Sequence, residues 1–277
     1  MGAEELGVES EIIRAMELRV KPCTGCEACS LTLSRGGIAK CVIKDDDVEW
    51  ILEKILVENA ALIISVPIYH LRPNGVFESI HERMLPVMFR NFDITTKTRV
   101  GAIISVGGGE PEWTTLGLTS MNIFMQHTRK LVDQMQVNFC GRPGSVLVHD
   151  EYLNRARRLG TNVAKAMMIP IENVKYMGED SEISCPVCHC NVLKVPEALP
   201  EVYCPVCWVR GTIYSDSNGM QIRWDEEDIQ NPRFSPKFIS KHLELIATLA
   251  KKFYAEDQPA VKERMKKYRE YGNIIKP

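Results

Sequence analysis

Ala60-Ala61-Leu62-Ile63-Ile64-Ser65-Val66, running on into Pro67-Ile68-Tyr69-His70, is the stretch that decides the fold. A continuous apolar run of strand length reads as a strand covered on both faces, since a half-wet strand alternates instead. Val100-Gly101-Ala102-Ile103-Ile104-Ser105-Val106 repeats the pattern and ends in Gly107-Gly108-Gly109. Residues 76–89 between them read as a helix. Beyond them come a helix over 115–132, a strand at 136–139 and a helix over 152–168. On the amino side, residues 10–16 read as a short strand. Asp45-Asp46-Asp47 offers N-cap carboxylates to a helix with Val48, Ile51, Leu52, Ile55 and Leu56 on one face. Strands alternating with helices at this spacing predict an α/β fold with a doubly wound parallel sheet. Ligands of such sheets bind outside the carboxyl ends of the strands. The loops expected there are the cysteine loop at 22–29, residues 67–70, and 107–109 with Trp113-Thr114-Thr115.

That first loop is Pro22-Cys-Thr-Gly-Cys-Glu-Ala-Cys29, with Cys41 eleven residues further on. Two successive two-residue gaps fold a short loop back so that Cys23, Cys26 and Cys29 converge. Such curvature suits a cubane [4Fe–4S] cluster, whose corners need thiolates. Zinc and unligated thiols remain as alternatives, although zinc more often takes two cysteines from each of two knuckles. Cys185-Pro-Val-Cys188 and Cys204-Pro-Val-Cys207, fifteen residues apart, have that second pattern. They predict a zinc ribbon, with iron in a rubredoxin-like site as the alternative. Cys190 and His189 beside it are read as bystanders to a complete four-thiolate shell, and Cys140 as a buried inert thiol. Thr212–Tyr214 and Met220–Trp224 read as a hairpin across 216–219.

The chain of 277 residues has room for a sizeable domain and a smaller one; we expect boundaries at 1–175, 176–232 and 233–277. A formal net charge of −2 gives no push toward nucleic acid or membrane surfaces. No apolar run approaches the roughly eighteen residues of a membrane span. Eight of the ten cysteines fall in metal spacings, which points to a reducing, cytoplasmic setting rather than a disulfide scaffold. In the tail, 235–253 reads as a helix whose apolar face packs on the main domain or a sister subunit, and 262–269 as a basic, solvated helix face.

The order Cys-x-Gly-Cys-x-x-Cys, then Cys41-Val-Ile-x-Asp-Asp, then an apolar strand ending Ser-Val-Pro-Ile-Tyr, then a strand ending in three glycines, resembles the flavodoxin-like NAD(P)H-dependent FMN reductases. Within them it is most similar to the iron–sulfur flavoproteins, over about residues 3–168. The resemblance implies FMN beside Pro67, Ile68, Tyr69 and His70, with Gly107, Gly108, Gly109, Trp113 and Thr114 near its ring. It also implies a [4Fe–4S] cluster on Cys23, Cys26, Cys29 and Cys41, with zinc on Cys185, Cys188, Cys204 and Cys207. NAD(P)H or a redox protein would be the partner, and a homo-oligomer is expected. His70 and His127 are candidate proton donors, although packed or surface roles are the ordinary reading of a histidine.

There are two departures from that pattern. Family members begin with a strand and a Ser/Thr-rich phosphate loop, which here have no counterpart. Either the genuine start lies upstream, or strands 10–16 and 60–66 pair directly, or another chain fills the gap. The spacing before Cys41 is also longer than the compact family motif. The expected function is electron transfer between FMN and a cluster. The alternative is a non-catalytic iron–sulfur and zinc subunit of a larger redox complex, with a zinc-ribbon nucleic-acid binder further behind.

Overall fold

A computed structural model describes residues 1–95, 99–181, 183–197 and 200–271 of the chain. From the amino end come 3-10 turns at Glu4–Leu6 and Ala15–Glu17, then α1 (Ala28–Ser34) and α2 (Val48–Leu52), which continues as a π-helical stretch, Glu53–Glu58. Next are β1 (Ala61–Tyr69), β2 (Arg72–Pro73), α3 (Gly75–Glu82), α4 (Met84–Arg90), α5 (Phe92–Thr95) and β3 (Arg99–Val106). α6 (Gly117–Gln126), β4 (Arg129–Val137) and α7 (Asp150–Met167) complete the first layer. The carboxyl part holds β5 (Glu201–Tyr203), β6 (Arg210–Asp216), β7 (Gly219–Trp224), α8 (Glu226–Gln230), α9 (Pro236–Ala255) and α10 (Gln258–Arg269). The end of the tail expected at 233–277 lies outside the described residues from 272 onward.

The main sheet is mixed, in the order β2-β1-β3-β4, with β1, β3 and β4 parallel and β2 antiparallel at one corner. Both faces are covered. On one, Ile51, Leu56, Phe77, Met121 and Phe124 pack with Val66 and Ile103. On the other, Leu159, Val163 and Ala166 of α7 pack with Ala102, Val132 and Val137. A second sheet, β5-β6-β7, is antiparallel and contains the expected hairpin.

Several sequence expectations change for identifiable reasons. Residues 10–14 form no strand and do not pair with β1, because no partner edge lies beside them. The helix expected at 76–89 breaks at Arg83: Pro86 has no N–H to offer the carbonyl of Glu82 and its ring crowds that turn. Asn74 starts α3 by accepting the N–H of Phe77 at 3.0 Å. The helix expected through 132 stops at Gln126, and the strand expected at 136–139 begins at Arg129. Its alternation is hidden by Asp133, a fully buried carboxylate held by Arg155 and by Asn162 at 2.8 Å.

Two arginines at the amino ends of β3 and β4 close the π-helical stretch. Arg129 donates to the carbonyls of Ile55 (2.6 Å) and Asn59 (3.1 Å); Arg99 donates to those of Val57 (3.1 Å) and Asn59 (2.7 Å). These are carbonyls that a helix end leaves without partners. Burial lowers the pKa of Arg129 to about 10, yet it stays charged near neutrality. Arg129→Met should leave buried carbonyls unpaired and cost about 2 kcal/mol, read as a lower midpoint in urea unfolding.

The carboxyl part is bound to the first layer. Asn122 of α6 donates to the carbonyl of Cys188 at 2.7 Å, Gln134 of β4 to that of His189 at 2.9 Å, and Tyr176 stacks on His189 at 3.6 Å. Phe234 meets the His127 ring at 4.3 Å, and His81 lies beyond it at 6.5 Å. Burial holds His127 neutral, with its pKa lowered to about 4, and its Nδ1 has no partner. The unfolded chain takes up this proton below about pH 6.5, whereas the folded one refuses it until about pH 4. Stability should therefore be unaffected above pH 6.5 and fall by about 2–3 kcal/mol toward pH 4. Urea titrations across that window should show His127→Phe removing most of this slope.

Candidate functional site: two cysteine centres and a strand-end rim

The two knuckles of the carboxyl part are built alike. Cys185 N donates to Cys190 O and Cys204 N to Val209 O, each at 2.9 Å. His189 and Trp208 follow the second cysteine of each knuckle in the left-handed region, at φ 56° and 60°, and close the turns. All four sulfurs of Cys185, Cys188, Cys204 and Cys207 are buried and lie within 4.8 Å of one another, with Cys188 and Cys204 at 3.5 Å. A tetrahedral ion with bonds of about 2.3 Å to sulfur separates its thiolates by about 3.8 Å, so this shell fits a single metal ion. Four thiols cannot all stay protonated in so small a volume. Hydrogen bonds from its neighbours, Cys188 first, pull Cys185 far down, and the same bond pushes Cys188 up. Cys190 stays outside the shell, with its sulfur 3.6 Å from Thr119 Oγ1.

The amino-terminal cysteines are arranged differently. Cys23 and Cys26 are exposed, Cys29 and Cys41 half-buried, and the four do not meet the spacing of a single-ion shell. A cubane cluster carries its ligands on separate corners and holds them further apart than one ion does. Loop amides already face the sulfurs: Gly25 N reaches Cys23 Sγ at 3.5 Å, and the Ala28 N–H draws the Cys26 thiol below its ordinary pKa. Partial burial pushes Cys29 up. The two arms of this loop are buckled together. Asp47 accepts from Arg19 N at 2.7 Å and Asp46 from Lys21 N at 3.0 Å, while Asp47 N donates to Arg19 O at 2.8 Å. Arg83, 3% exposed, pairs with Asp46 and donates to the carbonyls of Lys21 (3.0 Å) and Ile43 (3.3 Å). The aspartate triplet therefore does not cap α2, whose start has no side-chain cap. The triplet beside Cys41 was visible in the sequence, but its partner Arg83, 37 residues after Asp46, carried no local signal.

The rim lies at the carboxyl ends of β1, β3 and β4. A two-residue turn, His70-Leu71, joins β1 to β2 with both residues left-handed (φ 48° and 73°), although neither is Gly or Asn. Each such residue costs on the order of 1 kcal/mol, a strain that clusters where a ligand or clamp needs it. Leu116 N donates to Leu71 O at 3.1 Å, tying this turn to the next loop. Tyr69 and Trp113 stand exposed at 63% and 62%, whereas Ile68 and Thr114 are buried. Thr114 Oγ1 is engaged by Pro111 O, Gln136 Nε2 and Asn138 Oδ1. The glycines are needed inside the rim: a Cβ on Gly107 would meet Thr114 at 1.9 Å, and one on Gly108 would meet Gly141 at 2.7 Å. Phe139, which the sequence reading placed in a strand, lies beyond β4 at φ 58°, exposed, its N–H bonded to Gly109 O at 3.1 Å. His70 is exposed, and His127 lies in the packed contact with Phe234, which suits a structural role.

No family model matches the sequence. An iron–sulfur flavoprotein of Archaeoglobus fulgidus is 32% identical over 181 residues, covering 65% of this chain and 73% of the relative. A flavone synthase of Aspergillus candidus, cfoJ, is 29% identical over 152 residues, 53% of this chain and 46% of that protein. Among solved structures, one titled flavone reductase superposes with a TM-score of 0.75 at 24% identity, over 100% of this chain and 92% of its own. It shares the fold, carboxyl part included. No helix among the described residues is long and apolar enough to cross a membrane.

The four-thiolate shell gives a prediction of its own. Cys207→Ser, or exhaustive chelation, should release one bound metal ion per chain. Hydrogen exchange should then accelerate across 201–224 while β3 stays protected, because a ribbon of this size needs its ion to fold.

Proposed function

The chain belongs to the iron–sulfur flavoprotein family, and from that premise we propose that it is a flavin-dependent electron-transfer oxidoreductase. The observation that carries the reading is the cysteine loop. Its amides face Cys23 and Cys26, and buried Arg83 with Asp46 holds its two arms together without a single-ion shell forming. In this reading Cys23, Cys26, Cys29 and Cys41 hold a [4Fe–4S] cluster, and FMN lies along a flavodoxin-like rim. Pro67, Ile68, Tyr69 and His70 form one side of that site; Gly107 to Gly109 with Trp113 and Thr114 form the other. When bound, the two groups together supply exchange between electron pairs and single electrons. The chain's own part is positional. The strained 70–71 turn fixes the Tyr69 ring, Thr114 locks the glycine loop, and Arg83 places a cation beside Cys41. Cys185, Cys188, Cys204 and Cys207 hold zinc, which is redox-silent, so that centre braces α6 and β4. NAD(P)H or a redox protein is the donor, in a homo-oligomer in the cytoplasm.

A second reading has one observation behind it. α9 buries no residue and leaves Phe238, Leu245, Leu249 and Phe253 exposed, as a non-catalytic subunit docked in a larger redox complex would. Anaerobic purification with a visible spectrum and metal analysis separates the two. Flavin bands over a broad brown shoulder, with about four iron and one zinc per chain, are expected. A brown protein that takes up no added FMN supports the subunit reading, and a colourless protein without iron removes both. Asp46→Asn should lower iron content several-fold with zinc unchanged.

A further inference from the structure

Among the described residues, no strand pairs with the second edge of β1 between Ala61 and Val66, although this strand is central to the body. Parallel strands of α/β sheets are covered on both faces and paired on both edges unless they are peripheral. β1 departs from that rule: Ile63 is 41% exposed and Ser65 is exposed, in the middle of an apolar run. The open edge faces a cavity of about 760 Å³. One face of the cavity is formed by Ile51 and Phe77, the other by Ala3 and Val163, and the far wall by Ile13 and Ala15. Its shape follows that of a strand: open along β1, apolar above and below, and bounded on the far side by the segment 8–17.

We propose that this slot is the seat of one further strand, parallel to β1, supplied by polypeptide joined to the chain ahead of residue 1. The unpaired main-chain edge specifies extended backbone, and the apolar walls specify uncharged, β-branched side chains. The source follows from how residues 1–7 lie. They pack on α7, where Gly2 is so close that a Cβ would meet Arg157 O at 2.0 Å, and Thr161 donates to Gly2 O at 3.2 Å. From there they lead directly into the far wall of the slot. A strand in the slot, parallel to both β1 and residues 8–14, can reach those residues only by a crossover over one face of the sheet. Residues 1–7 occupy the end of that crossover. The same strand would give residues 10–14 the partner they lack, and so account for a strand-like sequence that forms no strand.

The proposal is independent of flavin or cluster binding. Intact mass and hydrogen exchange, measured on the protein from its natural source and on the chain of residues 1–277, test it. The natural protein is expected to exceed the mass of residues 1–277, with amides of 61–67 and 9–15 slowed together. In the chain of residues 1–277 both segments should exchange at least tenfold faster than 100–106. A natural protein that begins at Met1 would overturn the proposal. So would protection in the 1–277 chain that rises with protein concentration, which would identify a second copy as the occupant. Slow exchange at 61–67 with 9–15 still fast would also overturn it, because the occupant would then not be a strand shared by the two walls.

Discussion

Parallel strands have to satisfy their main-chain groups sideways and cover both faces with helices, and nearly every feature of this chain answers to that constraint. β1, β3 and β4 are read in register over seven or eight positions, and the apolar stripes of α2, α3, α6 and α7 close over them. The need reaches the corners too. Arg99 and Arg129 stand at the strand ends with their guanidinium groups on the last carbonyls of the π-helical stretch, and so join helix to sheet at the edge opposite the rim. A buried cation is tolerated there because it meets several carbonyls at once, which offsets part of its desolvation.

Onto this frame the chain adds two cysteine centres that differ in kind. The carboxyl one is a closed shell: four buried sulfurs on two matching knuckles, fixed to α6 and β4 through Asn122 and Gln134. The amino-terminal one is an open loop, exposed at Cys23 and Cys26, whose geometry comes from charges outside it. Asp46 and Arg83 are each nearly inaccessible to solvent, and such a pair gives little net stability but tolerates few alternative arrangements. Its effect here is to set where the arms before Cys23 and after Cys41 leave the body. The loop is therefore positioned by the body without being buried in it, which suits a centre that exchanges electrons with something outside the chain.

The rim shows how a glycine-rich loop can be needed for reasons internal to the protein. Gly107 and Gly108 are small because Thr114 and Gly141 lie against them, and that contact is what leaves Trp113 and Phe139 standing outward on Gly109. Close packing beneath and exposed aromatic surface above are two sides of one arrangement.

Local pattern alone determined the α/β class, the strands at 61–66 and 100–106, the helix over 152–167 and the hairpin of the carboxyl part, because period and apolar run length are properties of neighbouring residues. The Cys-x-x-Cys pairs were equally legible, since a knuckle needs only its own few residues. Tertiary structure decided the rest. The apolar side of β4 contains Asp133, whose burial depends on Arg155 and Asn162 in a distant helix, so its alternation could not be read. The aspartates before α2 accept from amides at 19 and 21 instead of capping the helix beside them. Residues 10–14 have a strand's composition without a strand's structure, because main-chain pairing requires a neighbour and no stretch of sequence can supply its own.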